Sequence, residues 1–157
     1  MGCLAASIVV PRPQPEVFAF FADAANLQRI TPPWVDFRIV SPLPIAMQPG
    51  ALIDYRLKIR GVPIGWRSEI TTWEPPHRFV DEQRKGPYRR WVHTHRFLNV
   101  AGGTQVEDDV AFDALGGRLL ERLFVARDVA AIFRYRQQAI LDAFGVTAVG
   151  PVRVEVW

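Results

Sequence analysis

Two histidines separated by one residue, His93 and His95, are the residues of this chain best suited to chemistry. An imidazole near neutral pH can move a proton, orient a ligand or bind a metal, and its neighbours decide which. In the run 88–98, Trp91, His93, His95 and Phe97 share one side of an extended strand, and Arg90, Val92, Thr94 and Arg96 share the other. The two arginines mark the second side as outward, so both imidazoles turn inward. The following run, 104–114, carries Val106, Asp108, Val110 and Phe112 on its more apolar side. If the chain reverses over Val100 to Gly103, Asn99 pairs with Thr104 and Asp108 falls opposite His95, where cross-strand neighbours are about 5 Å apart. A carboxylate there would fix the imidazole tautomer and free the other nitrogen for general acid–base work. The same residues also fit a structural pair, a pair that orients a ligand, or a metal site of two histidines and a carboxylate.

The same parity rule extends the inward face. It selects Ile53, Tyr55, Leu57 and Ile59 in one run and Ile64, Trp66, Ser68 and Ile70 in the next. Asp81 and Gln83 join the histidine face if Lys85-Gly86-Pro87 is a three-residue turn; a four-residue turn would substitute Val80 and Glu82. The catalytic candidates are therefore His93, His95 and Asp108. The candidate ligand contacts are Tyr55, Trp66, Ser68, Asp81, Gln83, Trp91, Phe97, Phe112 and Phe133. Apolar walls with a few convergent polar groups are what a small-molecule pocket requires. No residue set is assigned to a metal.

These side chains need a frame. A first strand, 4–10, ends at Pro11-Arg12-Pro13, and Pro15 suits the first turn of a short helix carrying Val17, Phe18, Phe20 and Phe21. Asn26 to Thr31 adds a second short helical piece before Pro32-Pro33 forces the backbone extended. Six strands are expected at 35–40, 51–60, 64–73, 78–84, 88–98 and 104–114, with connections short enough for antiparallel neighbours. After Gly116-Gly117 the period becomes helical, with Leu120, Leu123, Ala126, Ala130, Phe133, Ile140 and Phe144 three or four apart. The spacing predicts one helix over 118–144, closed by Gly145. Its apolar stripe needs a partner, and a sheet face is the one available. The tail from Val152 to Trp157 alternates valines with charged residues, which suits an edge strand and a contact between two copies in a homodimer.

Composition narrows the class. The chain has 157 residues, 49% of them hydrophobic, and a net charge of +3, which fits one domain and excludes a disordered polymer. No apolar run is long enough for a membrane span and no leader pattern is present, so a cytoplasmic protein is expected. Cys3 is the sole cysteine, which rules out an internal disulfide and a cysteine-based zinc site. The start Met1-Gly2-Cys3 departs from an acylation signal because Ala6 stands where Ser or Thr is needed. Arginines are interleaved with acids rather than gathered, so no nucleic-acid partner is expected. Arg84, Lys85, Arg89 and Arg90 around one turn read as a solvated hairpin tip or an anion contact. The glycines form neither a phosphate-binding nor a dinucleotide-binding signature, and no cofactor is expected.

Three runs carry a resemblance: Asn26-Leu27-Gln28-Arg29-Ile30-Thr31-Pro32-Pro33-Trp34; Trp66-Arg67-Ser68-Glu69-Ile70; and Phe79-Val80-Asp81-Glu82-Gln83 continuing through Gly86-Pro87-Tyr88 to Trp91-Val92-His93-Thr94-His95-Arg96-Phe97. With the order of elements, they resemble the SRPBCC superfamily, and within it the small bacterial stand-alone proteins of cyclase/dehydrase or ligand-binding type, over residues 5–145. The resemblance implies an α+β helix-grip fold shared with START domains: a seven-stranded curved antiparallel sheet, two short helices after strand 1, and a long C-terminal helix over a hydrophobic cavity. It implies three functions, since fold does not select one. The expected one is binding of a small hydrophobic or aromatic molecule, such as a lipid, polyketide or isoprenoid. The alternatives are a polyketide cyclase/dehydrase working through the His and Asp residues without a nucleotide cofactor, and a non-catalytic accessory protein.

Overall fold

Alternating apolar and polar residues through the middle of the chain can bury only one face of each strand, and the strands solve this together. The computed structural model describes residues 1–157, the Arg122 side chain excepted. Its strands are β1 (Gly2–Val10), β2 (Arg38–Ile39), β3 (Leu52–Ile59), β4 (Val62–Glu74), β5 (Arg78–Lys85), β6 (Tyr88–Val100), β7 (Gly103–Ala114) and β8 (Arg153–Val156). They form one antiparallel sheet in the order β2-β3-β4-β5-β6-β7-β1-β8. Two short helices, α1 (Gln14–Ala22) and α2 (Asn26–Ile30), follow β1. Register shifts between β4 and β5, at Arg67/Ser68 and Ile70/Thr72, bend the strands. The sheet curls around the C-terminal helix, which is the expected helix-grip architecture.

The eighth strand is the tail. Leu4 pairs with Val156 and Ser7 with Arg153, so β8 covers the edge that β1 would otherwise leave open. At the other end, the expected strand 35–40 shrinks to β2, because Pro33–Val35 form a 3-10 turn and Asp36 takes a left-handed conformation with φ 45°. Strand β4 starts earlier than expected and includes Pro63, which pairs with Lys58. A proline is tolerated there because β5 begins to pair only at Arg67, leaving the other side of β4 open. The β3–β4 hairpin turns on Arg60 and Gly61, with φ 49° and 80°, the conformation a two-residue turn between twisted strands requires.

The C-terminal helical segment is not the uniform α-helix of the sequence expectation. Helix α3 (Gly117–Leu120) passes into a wide π turn over Glu121–Val125 and then into α4 (Ala126–Phe144). The irregularity lies where Glu121 turns its carboxylate inward to accept the Ala114 N–H at 2.9 Å. Gly145, with φ 66°, caps α4 through the Asp142 carbonyl. Two buried clusters flank the middle of the sheet. One gathers Phe18, Phe21, Phe79, Phe97 and Val106; the other gathers Leu4, Val110, Phe112, Val129 and Phe133. No helix among the described residues is long and apolar enough to cross a membrane.

Candidate functional site

Between α4, the short helices and the concave sheet face lies a cavity of about 430 Å3. Aromatic and aliphatic groups supply most of its wall, with Ile30, Ile53, Trp66, Trp91 and Phe133 among them. Into this apolar wall β5 and β6 insert Asp81, His93 and His95, and α4 inserts Arg136.

Register explains the meeting. Asp81 stands opposite His93 on β5, and Asp108 stands opposite His95 on β7, with Asn99 paired to Thr104 as the sequence predicted. The hydrogen bonds, however, run diagonally. His93 Nε2 lies 2.8 Å from Asp108 Oδ1, and His95 Nε2 lies 2.7 Å from Asp81 Oδ2. The expected His95–Asp108 pair is thus a poorly directed 3.3 Å approach of Nδ1, which finds no hydrogen-bond partner. Stacking accounts for the difference: His95 is sandwiched between Phe79, centroids 4.0 Å apart, and His93, 3.6 Å apart. Rings held in that column lean along the strand and reach the diagonal carboxylates.

The charges follow from these contacts. Burial pushes the His95 pKa down, but the close Asp108 carboxylate, the Asp81 hydrogen bond and the charge of both acids outweigh it and hold the group above its ordinary 6.5. His93 is lowered, first by burial and then by repulsion from His95. Burial opposes ionisation of Asp108, yet Arg136 and the two imidazoles hold its carboxyl well below 3.8. Asp81 is lowered too: burial raises it, and the His95 hydrogen bond and the neighbouring cations reverse that. Of the two imidazoles, His95, between two carboxylates, holds its proton to higher pH, and His93 loses its proton first. His93 then donates from Nε2 to Asp108 and leaves Nδ1 as a free acceptor, 3.8 Å from Asp81. An acid and a base therefore sit side by side on the cavity wall.

Asp81, His93 and His95 also offer one ligand atom each within 4.8 Å of one another. A divalent ion would have to displace the proton that joins His95 to Asp81, and would do so beside the Arg136 cation.

The remaining candidates divide. Ser68 Oγ accepts the Trp66 indole N–H at 3.1 Å and hydrogen-bonds the Tyr55 hydroxyl at 3.0 Å, so these three satisfy one another on the cavity wall. Burial, with repulsion from Asp81, pushes the Tyr55 hydroxyl well above its ordinary 10.0 and keeps it neutral. Trp91 and Phe133 also line the cavity. Phe97 and Phe112 do not: both are fully buried, Phe97 against Phe18 and Phe21, and Phe112 against Trp91 and Tyr88. They share the inward parity but lie under the packed ends of the groove. Gln83 shares the histidine face and is likewise no part of the wall; its amide binds the Tyr88 backbone N–H and carbonyl and ties the β5–β6 hairpin. Asp108, with no exposed surface, sits behind the imidazoles rather than on the wall.

Sequence reasoning missed Arg136. It is 6% exposed, and its Nη2 approaches Asp108 Oδ1 at 3.6 Å. The signal was present: Val129, Phe133, Arg136, Gln137 and Ile140 follow the three-and-four spacing of one buried stripe, and all five are buried.

Comparison with known proteins agrees with this fold. The family described as polyketide cyclase / dehydrase and lipid transport matches residues 1–145. A protein of Chromobacterium violaceum is similar in structure with a TM-score of 0.71 and 9% identity, covering 90% of this chain and 95% of its own. One of Mycobacterium smegmatis has a TM-score of 0.64 and 20% identity, covering 90% and 89%. Ara h 8.0201 has a TM-score of 0.62 and 15% identity, covering 89% and 97%. At these identities the likeness is one of fold. No curated protein sequence matches the chain.

Proposed function

The chain belongs to the polyketide cyclase / dehydrase and lipid transport family, and from that premise we propose that it binds one small hydrophobic or aromatic molecule, of lipid, polyketide or isoprenoid kind, between the sheet and α4. The observation that carries this reading is the cavity itself: about 430 Å3, within the usual range for small-molecule sites, walled by aromatic and aliphatic groups and interrupted by Asp81, His93 and His95. Tyr55, Trp66 and Ser68 shape one wall, and Trp91 and Phe133 provide flat contact surfaces. A neutral fluorescent naphthylamine, N-phenyl-1-naphthylamine, tests it. Saturable binding of one probe per chain is expected, with a stabilisation of about 2.7 kcal/mol at a free concentration one hundred times Kd. Ala24→Leu, which adds bulk to the wall, weakens binding. No saturable binding, or equal binding by Ala24→Leu, overturns the proposal.

One observation favours a second reading, a cyclase/dehydrase. His93, whose pKa is lowered, and His95, whose pKa is raised, stand stacked on the cavity wall, the more basic-acting and the more acid-acting partner of one pair. On that reading His93 Nδ1 takes a proton from an acidic C–H, and the proton that His95 Nε2 shares with the cavity-lining Asp81 goes to a departing hydroxyl, which leaves as water. Turnover of a poly-carbonyl substrate that collapses in His95→Gln, while probe affinity survives, supports the enzyme. Binding without turnover supports the carrier.

A further inference from the structure

Arg136 is 6% exposed, lines the cavity, and makes no hydrogen bond among the described residues. Its Nε is buried without a partner, and the carboxylate oxygen nearest its Nη2 stands 3.6 Å away, beyond hydrogen-bond length. Its other contacts are aromatic faces: the guanidinium carbon lies 5.5 Å from the Phe21 ring centre and 5.8 Å from that of Phe133. Those rings hold the fork in place but accept no directed hydrogen bond. A buried guanidinium whose Nε is unpartnered and whose nearest carboxylate stands beyond hydrogen-bond length is costly unless something enters to accept its protons. Gln137 beside it on α4 also has no hydrogen-bond partner among the described residues, but it does not line the cavity.

We propose that Arg136 selects the occupant of the cavity, and that this occupant carries an oxyanion, a carboxylate or an ionised phenol or enol, on its hydrophobic body. The inference rests on the binding reading above and names its ligand class. A planar guanidinium matches a conjugated pair of oxygens, and its cavity-lining aromatic neighbours Phe21 and Phe133 suit a flat ring next to it. The neighbouring charges permit this. Asp108 lies behind the imidazoles, and Asp81 is held by His95, so neither caps the fork. Lys58 and Arg60 also border the cavity, but both are solvent-exposed and already face acids, Asp36 and Asp128 respectively.

The test compares 2-naphthoate with 2-naphthamide, which share a shape and differ in charge, by calorimetry on the full chain. The wild type is expected to prefer the carboxylate by about tenfold, the ratio separating charge-assisted from neutral hydrogen bonds. The preference persists at raised salt, because the contact is buried. In Arg136→Met it falls to about twofold or less, while the amide still binds; Arg136→Lys retains part of it because charge remains but the fork is lost. Lys58→Gln keeps the full preference. Equal affinity of wild type for the two probes, or a preference lost in Lys58→Gln and kept in Arg136→Met, overturns the role of Arg136 and leaves hydrophobic binding standing. Failure of both naphthalenes and of the neutral naphthylamine to bind overturns the pocket itself. The wild-type comparison needs no variant, so the proposal stays falsifiable even where Arg136→Met does not fold.

Discussion

Asp108→Asn is the substitution that most directly examines how a charged cluster survives inside an apolar groove. The change keeps shape and removes charge. In the native chain Asp108 is fully buried and its Oδ1 faces His93 Nε2 at 2.8 Å, His95 Nδ1 at 3.3 Å and Arg136 Nη2 at 3.6 Å. Removing one partner of a buried ion pair costs about 3–5 kcal/mol, because the other charge stays desolvated and unpaired. For a chain of this length each kcal/mol lowers Tm by about 2–4 °C, so a fall of roughly 6–20 °C is expected. Urea and thermal unfolding at neutral pH measure it. The pH dependence provides a second check. Asp108 has a native pKa well below 3.8, so its contribution is fully present above the unfolded value and disappears as pH falls through the native one. Because Asp108 also helps hold the His95 proton, the gap between wild type and Asp108→Asn shrinks as pH rises through the native His95 pKa, and it closes again in strong acid as Asp108 itself takes up a proton. Arg136→Met added to Asp108→Asn should recover part of the loss. A single variant within about 1 kcal/mol of wild type would refute the claim that this carboxylate holds the cluster together.

The two imidazoles should titrate with opposite effects on stability. His95 is raised above 6.5, so its stabilisation is present below that value and lost as pH rises through its native pKa; His95→Gln removes that alkaline decline. His93 is lowered, so the unfolded chain takes up its proton first on acidification and stability falls below pH 6.5; His93→Gln removes that acid-side loss. The groups facing the pair are Asp81, Asp108 and Arg136, and urea midpoints across the neutral range read both effects. Ser68→Ala leaves the Trp66 indole N–H and the Tyr55 hydroxyl without their shared partner, at an expected cost of about 1–3 kcal/mol in urea unfolding. A loss below about 0.5 kcal/mol would mean that water replaces the serine.

Strand faces were legible because a one-residue slip would send every side chain of a half-buried strand to the wrong side. His93, His95, Ser68 and Trp66 were placed inward by that rule, and they lie inward. Parity does not say how far along the groove a residue sits. Phe97 and Phe112 follow the same alternation yet lie where the groove is packed solid, so alternation alone made them wall residues. Nor does parity give ring orientation: Asp108 stands opposite His95 as expected, but stacking of Phe79 on His95 and His95 on His93 sends the good hydrogen bond to His93.

Arg136 was hidden for a different reason. On a surface helix an arginine normally reads as solvent-facing, and the stripe through Val129, Phe133 and Ile140 was legible without it. Yet an arginine held on that stripe, three residues after one buried aromatic, can only point where the sheet points. There it meets Asp108, which the strand pattern had already turned inward. Two inward charges of opposite sign, one from a sheet and one from the helix it grips, constrain each other: neither is tolerable alone. Placed 3.6 Å apart rather than in direct contact, they compensate each other's charge while leaving the guanidinium's donors open toward the cavity. A closed salt bridge would serve stability better, and a hydrophobic pair better still. The open geometry is what a site needs when the last acceptor is to come from a ligand.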